Sequence, residues 1–229
     1  MTKTIGIIQP NFLPWRGYFD FIDEVDEFIL LDDVKFTPRD WRNRNRIRTR
    51  DGRSKWLTVP IINKHQQPIS EARTSNHIDW RQRHASLLVE NYGKAPFYEK
   101  VIGQLFEIYR QSEDSLLTLN VKLIHWVMSL LEIETPILMA TDLNVSGDKN
   151  SRLIEICRRR GATRYLSGAS AQAYLDATQW SDAGISVAFK CYKGYPEYQQ
   201  IAEPFDPFVS VLDLLLMIGP DAKAFLARP

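Results

Sequence analysis

The 229-residue sequence predicts an α/β fold: a mainly parallel, Rossmann-like sheet carrying a β-hairpin and a helical insertion. Three observations predict it. Strand-like and helix-like runs alternate near both ends of the chain, as in βαβ units, where parallel strands need helical crossovers. Between them, an arm of strict alternation turns back at Asp51-Gly52. A long stretch of helical periodicity follows. We read residues 1–229 as one α/β domain, with the hairpin at 38–62 and the helical insertion at 79–133.

The first strand is "TIGIIQ" (4–9), a short apolar run that ends at Gln9-Pro10. After an irregular, proline-containing turn, "RGYFDFIDEVD" (16–26) has apolar residues at helical spacing. "EFILLDD" (27–33) is the second strand. In "DWRNRNRIRTRDGRSKWLTVPI", Trp41, Asn43, Asn45, Ile47 and Thr49 fall on one face of a strand. Arg42, Arg44, Arg46, Arg48 and Arg50 fall on the other, and Asp51-Gly52 supplies the positive φ of a tight turn. Helices are expected from about Asp79 to Tyr92 and in the two apolar stretches that follow. The late strands are 136–143, 164–168 and 185–192, with a helix at 151–161 whose basic last turn runs into Gly161.

Composition narrows the function classes. Net charge is +1, so the molecule as a whole has no pull toward nucleic acid or anionic membrane. The two cysteines, Cys157 and Cys191, make neither a disulfide scaffold nor a metal motif. "MTKTIGII" is too short an apolar run for a signal peptide, and "VSVLDLLLMIG" (209–219) is too short to span a bilayer. The expected compartment is the cytoplasm. His65, His77, His84 and His125 have no metal-ligand spacing, and P-loop, dinucleotide and nucleophile-elbow motifs are absent.

Ligands of open α/β sheets bind at the C-terminal ends of the strands. Gln9 and Asn11 occupy that place after the first strand, with Trp15 and Tyr18 available to stack on a base or sugar and Gly17 at the start of a helix. The same stretch also reads as an aromatic-anchored loop without a ligand. Asp32 and Asp33 follow the second strand, where they could hold Mg²⁺, accept from a ribose or act as a base, or simply form a turn. In the arginine comb, Arg44 and Arg46 are candidates for bidentate phosphate binding, with Asn43 and Asn45 interleaved. A solvated ribbon is the alternative, and a grip on nucleic acid is disfavoured by the near-zero net charge. His84 lies on one helical face with Trp80, Leu87, Leu88 and Tyr92, as a core histidine or a proton carrier. Lys94 follows that helix as an end cation or a phosphate contact. Ser167-Gly168 ends a strand, and Ser170 is placed to cap the next helix or to seat an anion.

Two resemblances extend this reading. "IGIIQPNFLPWRGYFDFI" resembles the first strand, turn and helix of nucleotidylyltransferases, with Phe12, Pro14 and Gly17-Tyr18 in comparable places. The histidines that steady the triphosphate in those enzymes are absent, which disfavours nucleotidyl transfer itself. Over nearly the whole chain, "QPNFLPWRGYFDFI", "DDVKF", "WRNRNRI", "WLTVPI", "DWRQRHASLLVENYGKAPF", "YLSGASAQAYLD" and "YPEYQQIAEPFDPFVSVLDLLLMIG" resemble, in order, the WbqC-like protein family. That resemblance implies a bacterial protein of O-antigen or other surface-polysaccharide biosynthesis. It implies a nucleotide-linked amino sugar as partner and glycine or another small amino acid as acyl donor. Amide formation of that kind would call on ATP and Mg²⁺. A nucleotidylyltransferase acting on a sugar phosphate, or a non-catalytic binding module for nucleotide sugars or nucleic acid, are the other readings.

Overall fold

The computed structural model describes residues 2–62, 67–112, 114–173 and 175–226. A five-stranded parallel sheet has the order β5-β2-β1-β6-β7. Its strands are β1 (Thr4–Ile8), β2 (Glu27–Leu30), β5 (Ile137–Met139), β6 (Arg164–Ser167) and β7 (Ser186–Phe189). A separate antiparallel hairpin pairs β3 (Arg44–Arg48) with β4 (Ser54–Thr58), and Gly52 takes φ 76° in its turn. The expected Rossmann-like sheet and hairpin are both present. The strands are shorter than read from sequence, because β2 and β5 stop where their chains turn away to meet each other at Asp32 and Thr141.

The period of 2 along the strands divides the core in two. Phe28 and Leu30 face a large apolar cluster that includes α1 (Arg16–Asp23) and the three helices α2 (Trp80–Tyr92), α3 (Tyr98–Gln111) and α4 (Leu116–Leu130). Ile5, Ile7 and Ile29 face a second cluster against α5 (Lys149–Arg159) and α6 (Ala177–Asp182). There Tyr165 stacks on Trp180 with ring centroids 4.7 Å apart. Burying both faces is what makes the strand sequences read as continuous apolar runs.

The hairpin joins the first cluster through Ile47, Leu57 and Val59. Its alternation is largely realised: Asn43, Asn45, Ile47 and Thr49 are buried, and the exceptions are Trp41, 43% exposed, and Arg48, buried from the opposite face. The chain beyond β7 lies largely without regular structure until α7 (Val211–Ile218). It is anchored on α1. Lys190 Nζ contacts the Asp20 carboxylate at 2.6 Å and also pairs with Glu24. Arg16 donates to the carbonyls of Pro196 and Phe225, its guanidinium lying 5.0 Å from the Tyr195 ring centroid. Among the described residues no helix is long and apolar enough to cross a membrane.

Candidate functional site

The strand order fixes where a ligand can sit. From β1 the chain builds outward through β2 and β5 on one side and through β6 and β7 on the other. The connections leave the C-terminal ends of β1 and β6 in opposite directions, which opens a crevice there. The turn after β1 forms its floor, and other elements hold several of its backbone groups. Tyr18 Oη donates to Gln9 O at 3.0 Å, and Asn120 Nδ2 to Pro10 O at 3.0 Å. Asn45 Nδ2 donates to Leu13 O at 2.8 Å, as does Ser210 Oγ. Val211 N–H donates to Pro14 O at 2.9 Å, and Phe12 N–H to Trp41 O at 2.9 Å. Leu13, at φ 41°, is held in a left-handed conformation by these contacts.

The crevice has two adjoining lobes that share Ile8 and Gly168. The smaller, about 210 Å³, is lined by Gln9, Lys149, Arg152 and Ser167 among apolar neighbours. The larger, about 440 Å³, is walled by the rings of Trp15, Tyr18, Trp41, Tyr192 and Phe208, with Asn11, Asn45 and Arg46 as its polar side chains. Trp15 packs on Tyr192 at 5.1 Å and on Phe208 at 6.1 Å between centroids. Its indole folds over α1, where a Cβ on Gly17 would lie 2.4 Å from the ring. Gly17 therefore serves a close approach, and the indole covers the helix start that sequence reading offered to an anion.

Two residues that line the larger lobe each carry a buried atom without a partner. Asn11 Oδ1 and Arg46 Nε are buried and make no hydrogen bond among the described residues. The remainder of the Arg46 guanidinium donates through Nη2 to Phe208 O at 3.3 Å. Tyr18 and Asn45 are committed to the turn, and Asn45 Oδ1 also accepts from Arg46 N–H at 2.8 Å. Neither phenol of this lobe is a ready base. Burial holds the Tyr18 hydroxyl far above its ordinary pKa, and burial beside Asp20 and Glu24 pushes Tyr192 up to about 12.

Several sequence candidates take other roles. The paired carboxylates do not converge. Asp32 is buried and accepts from Thr141 N–H at 3.0 Å and Thr141 Oγ1 at 2.7 Å, tying β2 to β5. Asp33 pairs with Arg152 Nη2 at 2.5 Å, beside the smaller lobe. Asp32 is engaged through both oxygens, whereas Asp33 keeps a buried Oδ1 without a hydrogen-bond partner among the described residues. No group of three His, Cys, Asp or Glu among the described residues could hold a metal ion. His84 is a core residue, with its ring nitrogens 3.2 Å from Tyr109 Oη and 3.2 Å from Thr58 O. Burial drives its pKa down to about 4, and it does not line the crevice. Asn43 Nδ2 closes the hairpin onto Val59 O at 2.8 Å. The Arg44 guanidinium lies 4.0 Å from the Trp56 ring centroid on the outer face. Lys94 is exposed beyond α2, and it too is absent from the crevice lining. The cap of α6 is Asp176, which accepts from Thr178 and Gln179 N–H. Ser170 lies in the short 3₁₀ turn Ala169–Ala173, and its side chain lies outside what the structure describes.

The crevice thus gathers Gln9, Asn11, Trp15, Tyr18, Asn45, Arg46, Ser167 and Gly168 from the sequence candidates. It adds Trp41, Lys149, Arg152, Tyr192 and Phe208. A signal existed for two of these. Arg152 opens a helix after a parallel strand, and Tyr192 closes the last strand-like run, both positions that face the ligand edge. Phe208 sits in irregular chain, where no periodicity marks it.

The model of the WbqC-like protein family matches residues 9–225, nearly the whole chain, and the chain belongs to that family. It is 39% identical over 227 residues to an uncharacterized protein of Mycobacterium tuberculosis (strain ATCC 25618 / H37Rv), covering 98% of this chain and 97% of the relative. No solved structure matches it.

Proposed function

We propose that this member of the WbqC-like family is a transferase acting on a nucleotide-linked amino sugar, adding glycine or a similar small acyl group in surface-polysaccharide biosynthesis. The observation that carries the reading is the two-lobed crevice at the sheet's switch point. Its larger lobe has the ring walls and the arginine that a sugar or base joined to phosphate requires. Its smaller lobe is lined by Lys149 and by Arg152, the latter paired with Asp33, and has the size for the small acyl donor. The two ligands would meet over Ile8 and Gly168, the residues common to both lobes.

ATP would supply the activation that amide formation needs. Magnesium would enter with its phosphates, since Asp32 is taken by Thr141 and Asp33 is paired through one oxygen with Arg152. The roles of the chain's own residues are to bind and orient: Arg46 at phosphate, Trp15 and Phe208 against a ring face, Gln9 and Ser167 at the junction with the second substrate. His84 and Lys94 have no part in this arrangement.

A thermal-shift screen tests the proposal. Nucleotide-linked amino sugars, ATP and glycine are added singly and in pairs, because a ligand that binds the native state raises the melting temperature. Nucleotide amino sugars are expected to shift it alone, and ATP with glycine to add a further shift. Absence of any shift with nucleotide sugars would sink the reading.

A further inference from the structure

We infer that β7 pairs with β7 of a second copy of this chain, antiparallel about a two-fold axis at Ala188, so that two five-stranded sheets become one. The sheet ends at β7 on one side and at β5 on the other. Ser186 N–H donates to Thr163 O at 2.9 Å, and Lys190 N–H to Ser167 O at 2.8 Å. In a parallel pair alternate residues bond to a given neighbour, so Ser186, Ala188 and Lys190 face β6. Val187 and Phe189 turn their N–H and C=O groups outward, where no described residue bonds to them. Their side chains share one face and line a groove of about 580 Å³ beside α6, with Leu175 and Trp180. Phe189 is half-buried and belongs to neither apolar cluster.

Symmetry favours a second copy over another extended chain. With the axis at Ala188, Val187 of each copy lies opposite Phe189 of the other. These pairs exchange all the outward N–H and C=O groups, and an aromatic ring meets a β-branched side chain across the strands. A two-fold axis also sets edge residues beside their own copies, so a charge there would repel itself. The groove lining holds no charged side chain, and Lys190 is drawn back to Asp20 and Glu24 on α1. The opposite edge is built differently. β5 has three residues and is flanked by exposed Glu134, Pro136 and Asp142, the devices that keep a sheet edge single.

Size exclusion with light scattering reads the oligomer across a dilution series. At high concentration wild type is expected at twice the 26.6 kDa mass of one chain. Phe189→Lys sets two cations close to the axis and should weaken dimerisation about tenfold or more. Its urea midpoint should stay, because the ring supports neither apolar cluster. Cross-linking tests the register. Ala188 lies opposite its own copy in a pair without mutual hydrogen bonds, where Cα atoms approach to about 4.5 Å. Ala188→Cys should therefore give a disulfide between copies on oxidation, whereas Val187→Cys, which faces Phe189, should not. Both carry Cys191→Ser, which removes the exposed native thiol. Should Phe189→Lys fail to fold, the cysteine variants carry the test. A wild type that is monomeric throughout the series overturns the inference and leaves the edge to a different chain. A dimer that persists in Phe189→Lys, or absence of the Ala188→Cys cross-link, or equal cross-linking through Val187→Cys, also overturns it.

Discussion

Asn45 Nδ2 donates a 2.8 Å hydrogen bond to the carbonyl of Leu13, joining the buried face of the hairpin to a residue held at φ 41°. Asn120, from α4, does the same for Pro10 at 3.0 Å and for Arg42 at 2.8 Å. The floor of the crevice is therefore shaped by amides from the hairpin and the helical block, two parts of the chain outside the parallel sheet. Asn120→Leu removes the donor to the Pro10 and Arg42 carbonyls, and Asn45→Leu removes one of two donors to Leu13 O and the acceptor of Arg46 N–H; each should cost about 1–3 kcal/mol in urea unfolding. Losses below 0.5 kcal/mol in both (about the scatter of neutral surface changes) would show the turn to be held by other means.

His84 makes stability depend on pH. The unfolded chain binds a proton at this ring below its ordinary 6.5, but the buried ring resists protonation until about 4. Stability should thus fall as pH drops from 6.5 toward 4 and then level off. The full difference corresponds to about 3 kcal/mol. Subtracting the pH profile of His84→Gln isolates this contribution from the carboxylates that titrate nearby. Identical slopes in wild type and variant would remove His84 from the account. Activity, by contrast, should follow no titration of this ring.

Legibility in the sequence followed the period of each element. β1 and β2 were readable because burial on both faces leaves a compact apolar run. The hairpin was readable because Asn and Ile alternate with arginine. Asp32 and Asp33 show what local reading misses: adjacent in sequence, they point to different partners, Thr141 and Arg152, more than a hundred residues away. Residue type suggested chemistry there, and long-range pairing decided it. Asn45 reads as a polar residue on a buried face, and its partner in the first turn, Leu13 O, lies 32 residues away in sequence. Phe208 and Tyr192 escaped notice or assignment because the tail that carries them folds on α1 through contacts such as Lys190 to Asp20, which no spacing encodes.

Gly17→Ala separates the wall of the larger lobe from the fold. The added methyl would lie 2.4 Å from the Trp15 ring, so the indole must swing out of its packing against Tyr192 and Phe208. Alanine gains about 1 kcal/mol of helix propensity over glycine, which offsets much of the lost packing. Stability by urea unfolding should change little, while tryptophan emission shifts red and affinity for a nucleotide sugar drops about tenfold. Unchanged emission and affinity would mean that the ring at position 15 does not bound the site.

The arginine comb divides into residues with different work, and the division is measurable. Arg44, half-buried, lies over Trp56 at 4.0 Å on the outer face, and its strand partner Thr58 is exposed. Arg46 is the one of the three that lines the larger lobe, while a buried Nε without a partner is common to Arg44, Arg46 and Arg48. Arg48 turns to Pro204 and is buried. Arg44→Ala should leave nucleotide-sugar affinity within about twofold, Arg46→Ala should weaken it about tenfold or more, and Arg48→Ala should act on stability. Titration calorimetry beside urea unfolding distinguishes the three. If Arg44→Ala costs as much affinity as Arg46→Ala, the ligand reaches across the outer face of the hairpin, and the exposed Trp41–Trp56 pair becomes part of its path.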